Sequence, residues 1–218
     1  MKWTGVLTFA MVAFLVGIFL AYSFSRPGPT PWVDEPSFEA GMMCNRAPQA
    51  EQPIVERSER AFSNLHPHVR ERSETFVRLA YSCLGLEVRL TSGYRSEDEQ
   101  NALYAQGRSE PGQIVTNAKA GQSYHNYGLA VDFVIIHDNR ADYDLSSDHN
   151  RSGVPDWQEL GELGKALGFE WGGDWRNFPD YPHLQMDFGL SIRQLAAGKR
   201  PGEQATMPLA DVLKPLVD

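Results

Sequence analysis

The stretch SYHNYGLAVDFVII, residues 123–136, decides the fold, because a polar turn leads there into an apolar segment. From Gly128 to Ile135 successive side chains point to opposite faces, as in a β-strand. Asp132 lies on the face opposite to Leu129, Val131 and Phe133. An ionised carboxylate in such a strand is costly to bury unless it is paired or bound to a metal. The stretch therefore predicts a strand that carries a functional aspartate.

Periodic patterns on both sides of this stretch predict further elements. Ser96 and Glu99 fit a capping box, and Asp156 can cap a helix that ends before Gly168. The predicted elements are, in chain order, a helix at 69–84, a strand at 86–90, a helix after Ser96, the strand at 128–135, a helix from Asp156 and a strand at 183–186. Short strands with helices between them predict an α+β fold with a small mixed or antiparallel sheet flanked by helices.

The amino-terminal segment predicts the compartment. Trp3 to Ser25 contains no charged residue, and a helix needs roughly 20 apolar residues to cross a bilayer. The segment is either an uncleaved signal anchor or a signal peptide cleaved after the weak site at 21–23, and its length favours the anchor. Under both interpretations the rest of the chain is exported. With an uncleaved anchor, the protein is held in the inner membrane and its folded domain faces the periplasm. We expect a transmembrane segment at 1–25, a proline-rich tether at 26–53, a folded domain at 54–190 and a tail at 191–218.

Composition excludes one class of partner and leaves two questions open. The formal net charge of -8 disfavours binding to the phosphates of nucleic acids. Nothing in the sequence indicates an oligomeric state. Cys44 and Cys83 are not spaced as metal ligands. In an exported chain they can form one disulfide, but Cys83 also fits a plain buried residue of the first predicted helix.

Three polar residues form a candidate metal set. His125 lies in the turn before the strand of Asp132, and His183 opens the last predicted strand. Two imidazoles and a carboxylate are a common catalytic zinc set, with the fourth position open for water. Asp180 can move protons near such a metal, and Arg95 can stabilise an oxyanion or hold a substrate carboxylate. From spacing alone, a purely structural role for the histidines and Asp132 remains the more frequent interpretation.

A second candidate site lies between the predicted strand that carries Asp132 and the predicted strand that begins at His183. The calcium-loop template is matched by Asp148, Asn150, Ser152, Asp156 and Glu159. Gly153 supplies the sharp turn of that template, whereas Pro155 is unusual in it. The alternative is a loop rich in Asp and Asn that ends in a helix cap.

The motif Ser123-x-His125-x-x-Gly128-x-Ala130-x-Asp132 resembles the signature of the bacterial D-Ala-D-Ala peptidase family. That family includes the vancomycin-resistance dipeptidases and the phage L-alanyl-D-glutamate endolysins. The endolysin-like branch is the more similar, from about Asn64 to Leu190. The segments that carry this resemblance are SGYRS at 92–96, QxxLYxQGR at 100–108, SYHNYGLAVDF at 123–133, WGGDW at 171–175 and DYPH at 180–183.

The resemblance implies a hedgehog/DD-peptidase-like fold and a set of roles for the residues. It implies His125, Asp132 and His183 as zinc ligands, Asp180 as the catalytic acid/base and Arg95 as the carbonyl-stabilising arginine. Some endolysin-like relatives are similar in carrying a calcium loop. Residues expected to line the substrate groove are Ser123, Tyr127, Trp171 and Trp175, although a tryptophan is at least as often part of a core.

The implied function is zinc-dependent hydrolysis of an amide bond in the peptidoglycan stem peptide, with L-alanyl-D-glutamate favoured. D-alanyl-D-alanine carboxypeptidase activity is the first alternative. A non-catalytic wall-binding module is the second, since a fold does not imply a function. A calcium-dependent adhesion protein would need the loop at 148–159 but none of the three zinc ligands.

Overall fold

The computed structural model describes residues 52–202. The predicted membrane segment, the tether up to residue 51, Cys44 and the helix expected near 209–216 lie outside this range. Within it, no helix combines the length and the apolar character that crossing a membrane requires.

The described residues form both helices and strands. The helices are α1 (Gln52–Glu56), α2 (Glu59–Phe62), α3 (Pro67–Ser82), α4 (Glu97–Ala105), α5 (Asp156–Ala166) and α6 (Ile192–Ala196). The strands are β1 (Glu87–Ser92), β2 (Ala130–His137), β3 (Arg140–Asp142), β4 (Glu170–Trp171) and β5 (His183–Gln185). Short 3-10 helices at Tyr124–Tyr127 and Gly172–Asp174 precede β2 and follow β4.

The sheet is antiparallel and is built around β2. Its order is β1-β2-β5-β4, and β3 also pairs with β2. The residues 130–132 of β2 pair with β5, whereas residues 135–137 pair with β3. The hairpin between β2 and β3 turns at Asp138 and Asn139, which both have positive φ angles, as the tight primed turns of hairpins require. This architecture confirms the prediction of helices around a small antiparallel sheet.

The core lies between the apolar face of the sheet and the helices α3 and α5. Phe133 is 1% exposed, and its ring packs against Phe76 of α3 and Trp157 of α5 at centroid separations of 5.0 and 5.3 Å. The alternation along β2 therefore places Phe133 inside and leaves Asp132 on the opposite face. That opposite face carries the candidate site.

Two local features differ from the sequence predictions, and a third decides between two alternatives. Helix α5 begins at Asp156 with Pro155 at its N-cap position. Asp156 therefore does not cap its own helix, and its carboxylate accepts from the backbone N–H of His149. The fold also continues beyond residue 190, because Leu195 of α6 is fully buried in the core. Cys83 is disulfide-bonded, which is the first of the two alternatives that the sequence leaves open for this residue.

Candidate active site

The register of the sheet assembles the three candidate ligands. Asp132 of β2 pairs directly with His183 of β5, so their side chains share one face of the sheet. His125 comes from the 3-10 turn that precedes β2. This turn ends at Gly128, which has a φ of 68°. One ligand atom from each of the three residues lies within 4.8 Å of the others, and the described residues contain no second group of this kind.

The hydrogen bonds around the cluster leave three lone-pair donors facing one another. His125 Nδ1 is 2.7 Å from the carbonyl oxygen of Gly93, which can only accept, so this nitrogen carries the proton. His125 Nε2 and His183 Nδ1 then both face Asp132 Oδ1, at 3.2 and 3.1 Å. Two imidazole nitrogens and a carboxylate oxygen at these distances repel one another unless a cation or protons lie between them. The donor set therefore fits a metal ion.

Charge in the cluster is distributed as this geometry requires. Burial alone raises the pKa of the Asp132 carboxyl, but the two imidazoles, His125 foremost, lower it by more, so that it lies well below its ordinary value. Burial lowers the pKa of His183, and its contact with Asp132 outweighs that effect and raises it. Asp132 is therefore an ionised carboxylate inside the site.

Arg95 lies beside the cluster and is held on several sides. Its guanidinium lies 3.3 Å from Asp132 Oδ2 and donates to Ser92 Oγ and to Gln100 Oε1. Its backbone N–H donates to the carbonyl of His125. Arg95 thus balances the second oxygen of Asp132, a contact that sequence reasoning did not predict, and its side chain is only 15% exposed.

Asp180 lies at the mouth of the same cleft. Its backbone N–H donates to the carbonyl oxygen of Gly172 at 2.9 Å, and its own carbonyl accepts from His183 N–H. A methyl group at residue 172 would come within 2.5 Å of the Asp180 carbonyl oxygen, so only glycine permits this approach. Desolvation and then the charge of Asp132 raise the pKa of Asp180, as expected of a carboxyl group that exchanges protons.

Gly93 allows a second close approach behind the site. Its carbonyl oxygen orients His125, and a methyl group on its α-carbon would lie 1.8 Å from the carbonyl oxygen of Ala61 in α2. No other residue fits against that backbone without displacing it. The orientation of a candidate ligand therefore depends on how α2 packs.

The cleft above the cluster has a volume of about 860 Å³. Its lining includes Arg95, Asp180, Ser123 and Trp175. Exposed apolar residues form its rims, with Ile114 and Val115 in one loop and Phe178 in another. The cleft is large enough for several residues of an extended peptide.

Two residues expected in the groove lie elsewhere. Trp171 is 2% exposed and belongs to the core, where its indole N–H donates to the carbonyl of Tyr181. It is buried because β4 pairs it with Leu184 of β5 on the inner face. Tyr127 does not line the cleft either, because its hydroxyl turns back to donate to the carbonyl of Gly121. Tyr124 of the same turn lines the cleft instead.

The loop at 148–159 gives no support to the calcium prediction. Asp148 accepts from the backbone N–H groups of Ser152 and Gly153. Glu159 accepts from the side chain of Asn150 at 2.7 Å. The carboxylates of the loop are thus satisfied by donors of the loop itself, which matches the alternative of a loop rich in Asp and Asn.

The sequence assigns no role to two polar residues around the site, Gln100 and Gln185, and it offers Glu170 only as a substitute for Asp180 in proton transfer. Gln100 is fully buried and links Arg95 to the carbonyl of Ala118. Gln185 is 6% exposed and contacts His183, and Glu170 contacts Gln185. Gln185 had one local signal, since it lies two positions after His183 on a strand and therefore on the same face.

Comparisons with known proteins identify the family. Residues 116–186 match a family model described as D-alanyl-D-alanine carboxypeptidase. The chain is 49% identical over 125 residues to the peptidoglycan L-alanyl-D-glutamate endopeptidase CwlK of Bacillus subtilis (strain 168), covering 57% of this chain and 74% of that protein. The chain belongs to this peptidase family. The resemblance found in the sequence motifs is thereby confirmed.

Other similar proteins match with lower identity. The L-alanyl-D-glutamate peptidase of Listeria phage A118 is 34% identical over 105 residues, which is 48% of this chain and 32% of that protein. Among solved structures, the L-Ala D-Glu endopeptidase ChiX of Serratia marcescens superposes with a TM-score of 0.43 at 23% identity, covering 62% of this chain and 89% of that one. The LD-carboxypeptidase LdcB gives 0.40 at 20% identity, covering 63% and 71%.

Proposed function

We propose that the protein is a zinc-dependent peptidase that hydrolyses the L-alanyl-D-glutamate bond of peptidoglycan stem peptides. The observation that carries this proposal is the convergence of His125, Asp132 and His183 at the floor of a cleft that also holds Asp180 and Arg95. The L-alanyl-D-glutamate endopeptidase activity of CwlK, which is 49% identical to this chain, supports the choice of substrate.

Zinc is the metal that the donor set fits best. Two neutral imidazoles and one carboxylate are the ligand types that catalytic zinc takes, with a fourth position left for water or substrate. The proton of each imidazole is placed on the nitrogen that faces away from the cluster. Bound there, a zinc ion would lower the pKa of a water molecule and polarise a carbonyl group.

The residues of the chain supply the remaining chemistry. Asp180 accepts a proton from the attacking water as the water oxygen bonds to the carbonyl carbon of the substrate. The same carboxyl then gives that proton to the nitrogen that leaves as the C–N bond breaks. Arg95 presents N–H donors to the carbonyl oxygen, on which negative charge develops. The fixed partners of Arg95 hold its guanidinium in place before substrate arrives.

The composition of the cleft agrees with a peptide substrate that carries carboxylates. Its floor offers the guanidinium of Arg95, and its rims offer apolar side chains at Ile114, Val115 and Phe178. A stem peptide combines free carboxylates with the small apolar side chains of alanine. Bond choice then depends on how far the peptide extends past Arg95 and Trp175.

Digestion of purified sacculi tests the proposal. The full-length chain, purified in detergent and loaded with zinc, is incubated with sacculi, and the products are identified by mass spectrometry. We expect new carboxyl termini at L-alanine and new amino termini at D-glutamate. Protein stripped with a chelator should be inactive and should recover when zinc is restored. A wild-type protein that holds zinc and releases no such termini would refute the proposal.

The same digestion separates two alternatives. D-alanyl-D-alanine carboxypeptidase activity, which the description of the family model favours, would release free D-alanine and leave the L-alanyl-D-glutamate bond intact. A wall-binding module would sediment with the sacculi and produce no new termini. Each alternative predicts a different product spectrum.

We also propose that residues 1–25 anchor the protein in the inner membrane with the peptidase domain in the periplasm. The support is the uncharged run from Trp3 to Ser25, which exceeds the roughly 20 residues of a spanning helix. Carbonate washing of membranes should leave the full-length chain in the pellet. A shortened, soluble periplasmic form would instead identify a cleaved signal peptide.

A further inference from the structure

The register of the sheet places two polar residues, Gln185 and Glu170, next to each other behind His183. His183 and Gln185 lie two positions apart on β5 and therefore on one face. Gln185 pairs with Glu170 of β4 on one side and with Ala130 of β2 on the other. The small side chain of Ala130 offers Gln185 no polar partner. Among the described residues, the amide of Gln185 has His183 and Glu170 as its hydrogen-bond partners.

The hydrogen bonds of this row have a single consistent direction. Glu170 Oε2 is 2.8 Å from Gln185 Nε2. A carboxylate can only accept, so the amide nitrogen of Gln185 faces Glu170 and its oxygen faces His183. That oxygen lies 3.0 Å from His183 Nε2. Nε2 therefore carries the proton, and Nδ1 keeps the lone pair that faces Asp132.

The second oxygen of Glu170 is used as well. Glu170 Oε1 accepts from the indole N–H of Trp175 at 2.8 Å, and the Trp175 ring lies 5.1 Å from the His183 ring between centroids. Trp175 lines the cleft. With both oxygens engaged, Glu170 is placed to orient its neighbours rather than to exchange protons with substrate.

We propose that Glu170 and Gln185 are positioning residues that select the Nε2-protonated tautomer of His183 and fix the Trp175 wall of the cleft through one shared carboxylate. The inference deepens the proposed function and rests on it. Partners of this kind orient the ligand ring and raise its basicity. Here they also tie the geometry of the metal site to that of the substrate groove.

Substitution of Glu170 by glutamine should reverse the donor-to-acceptor direction of the hydrogen bonds that join residue 170, Gln185 and His183. The new amide can accept from Trp175 and donate to Gln185, which then turns its own amide group. The NH₂ of Gln185 would face His183, so that Nε2 must accept and the proton moves to Nδ1. The lone pair would then point away from Asp132 and from the metal.

Zinc affinity and tautomer are the two measurements that test this inference. In the full-length chain, Glu170→Gln and Gln185→Leu should weaken zinc binding about 10–100-fold in competition with a chromogenic chelator, as losses of such partners do. In metal-free protein with isotope-labelled histidine, at a pH where the ring is neutral, the ring correlations of His183 should report a larger fraction of Nε2–H in the wild type than in Glu170→Gln. Some Nδ1–H is expected in both proteins, because Nδ1 can donate to Asp132 when no metal is bound.

Two control variants separate this effect from general damage. Glu162→Gln changes a half-buried carboxylate of α5 whose hydrogen-bond and ion-pair partners within residues 52–202 are Gln158 and Lys165, and it should retain wild-type zinc affinity. Trp175→Phe keeps a ring but loses the N–H, so it should raise KM and change zinc affinity by less than about threefold, in contrast to the partner losses above.

The result that overturns the inference is wild-type zinc affinity together with an unchanged His183 tautomer in both Glu170→Gln and Gln185→Leu. Failure of the proposed function looks different, because zinc-loaded wild type would then leave the stem peptide intact while the tautomer still responded to Glu170→Gln. The tautomer is measured without metal or substrate, so it is independent of the proposed activity. If Glu170→Gln folds poorly, the same measurement on Gln185→Leu replaces it.

Discussion

Two clusters of histidine and aspartate lie at different ends of β2, and they differ in what their polar atoms face. In the first, His125, Asp132 and His183 turn three lone pairs toward one another. In the second, which we call the loop cluster, His149 lies between Asp142 and Asp156. The sequence predicted zinc at the first place. Near the second it left open a calcium loop at 148–159, which shares Asp156 with the loop cluster, against a loop rich in Asp and Asn.

The loop cluster already contains the donors that its carboxylates need. Asp142 accepts from Ser147 Oγ at 2.6 Å and from His149 Nε2 at 2.7 Å. The buried carboxylate of Asp156 accepts from the backbone N–H of His149 through both oxygens. Identical residue types therefore build a metal-binding geometry where acceptors converge and a structural network where each acceptor meets a donor.

The largest expected effect is loss of the metal from the first cluster. His125→Ala or His183→Ala removes one of three ligands, so zinc content of the full-length chain should fall from near one ion per chain to a small fraction. Metal chemistry supplies several kcal/mol to the transition state, so turnover should fall by about 10³-fold or more. His149→Ala, in the loop cluster, should leave zinc content unchanged. Equal zinc loss in all three variants would contradict the prediction that the first cluster binds zinc and the loop cluster does not.

Asp180→Asn should come next in size. The amide keeps the shape of the side chain but cannot accept the proton, and general acid–base catalysis contributes typically about 10²–10⁴-fold. We expect kcat to fall by that factor while zinc stays bound. Zinc content and kcat measured on one preparation decide the role. Zinc lost together with activity would make Asp180 a ligand of the first cluster.

Asp142→Asn should affect stability and leave zinc content unchanged. Hydrogen bonds, first from Ser147 and then from the backbone of Asp144, lower the pKa of Asp142 to about 2. A carboxyl group with a lowered pKa stabilises the fold above its unfolded pKa, and this contribution is lost as pH falls toward the folded pKa. The variant should lose about 1–2 kcal/mol in the free energy of unfolding at pH 7, and the difference should vanish near pH 2.

Denaturant unfolding at a series of pH values measures this dependence. Asp138→Asn is a matched control, since the side chain of Asp138 is 90% exposed and asparagine tolerates its positive φ. The control should unfold like the wild type at every pH. A stability loss in Asp142→Asn that persists at pH 2 would show that packing, rather than charge, holds the loop cluster together.

Ser147→Ala should give the smallest effect. It removes the first hydrogen bond to Asp142, and hydrogen bonds to charged groups contribute about 1.5–3 kcal/mol at most in buried settings and less where water replaces them. We expect a loss near or below about 1 kcal/mol and an acid-unfolding profile that begins at higher pH. An unchanged acid profile would mean that another donor takes over at Asp142.

Local patterns were sufficient for the longer elements. Helical spacing predicted α3, the capping box of Ser96 and Glu99 predicted the start of α4, and alternation predicted β2. The strands β3 and β4 escaped prediction because three and two residues are too short to show a period. Trp171 was misplaced for the same reason, since the pairing of β4 buries it.

The site was predictable only where a residue carried its own signal. Asp132 interrupts an apolar strand, and His183 follows a proline, so both were found from the sequence. Glu170 and Gln100 carry no such signal, because their partners come from other strands and loops. Gln185 carries only the weak signal of its position two residues after His183. Register decides which polar residues meet, and a pattern along one segment does not encode the register between two.

The contact of Gly93 with the backbone of Ala61 links metal binding to the docking of the amino-terminal helices. His125 is oriented by a carbonyl whose position depends on that contact. Any change that loosens α2 therefore raises the free energy of the metal-competent conformation, and bound zinc stabilises the docked helix by the same amount. Metal occupancy becomes a reporter of packing at α2, where no ligand lies. A shortened enzyme that keeps every catalytic residue but begins after Phe62 would bind its metal more weakly.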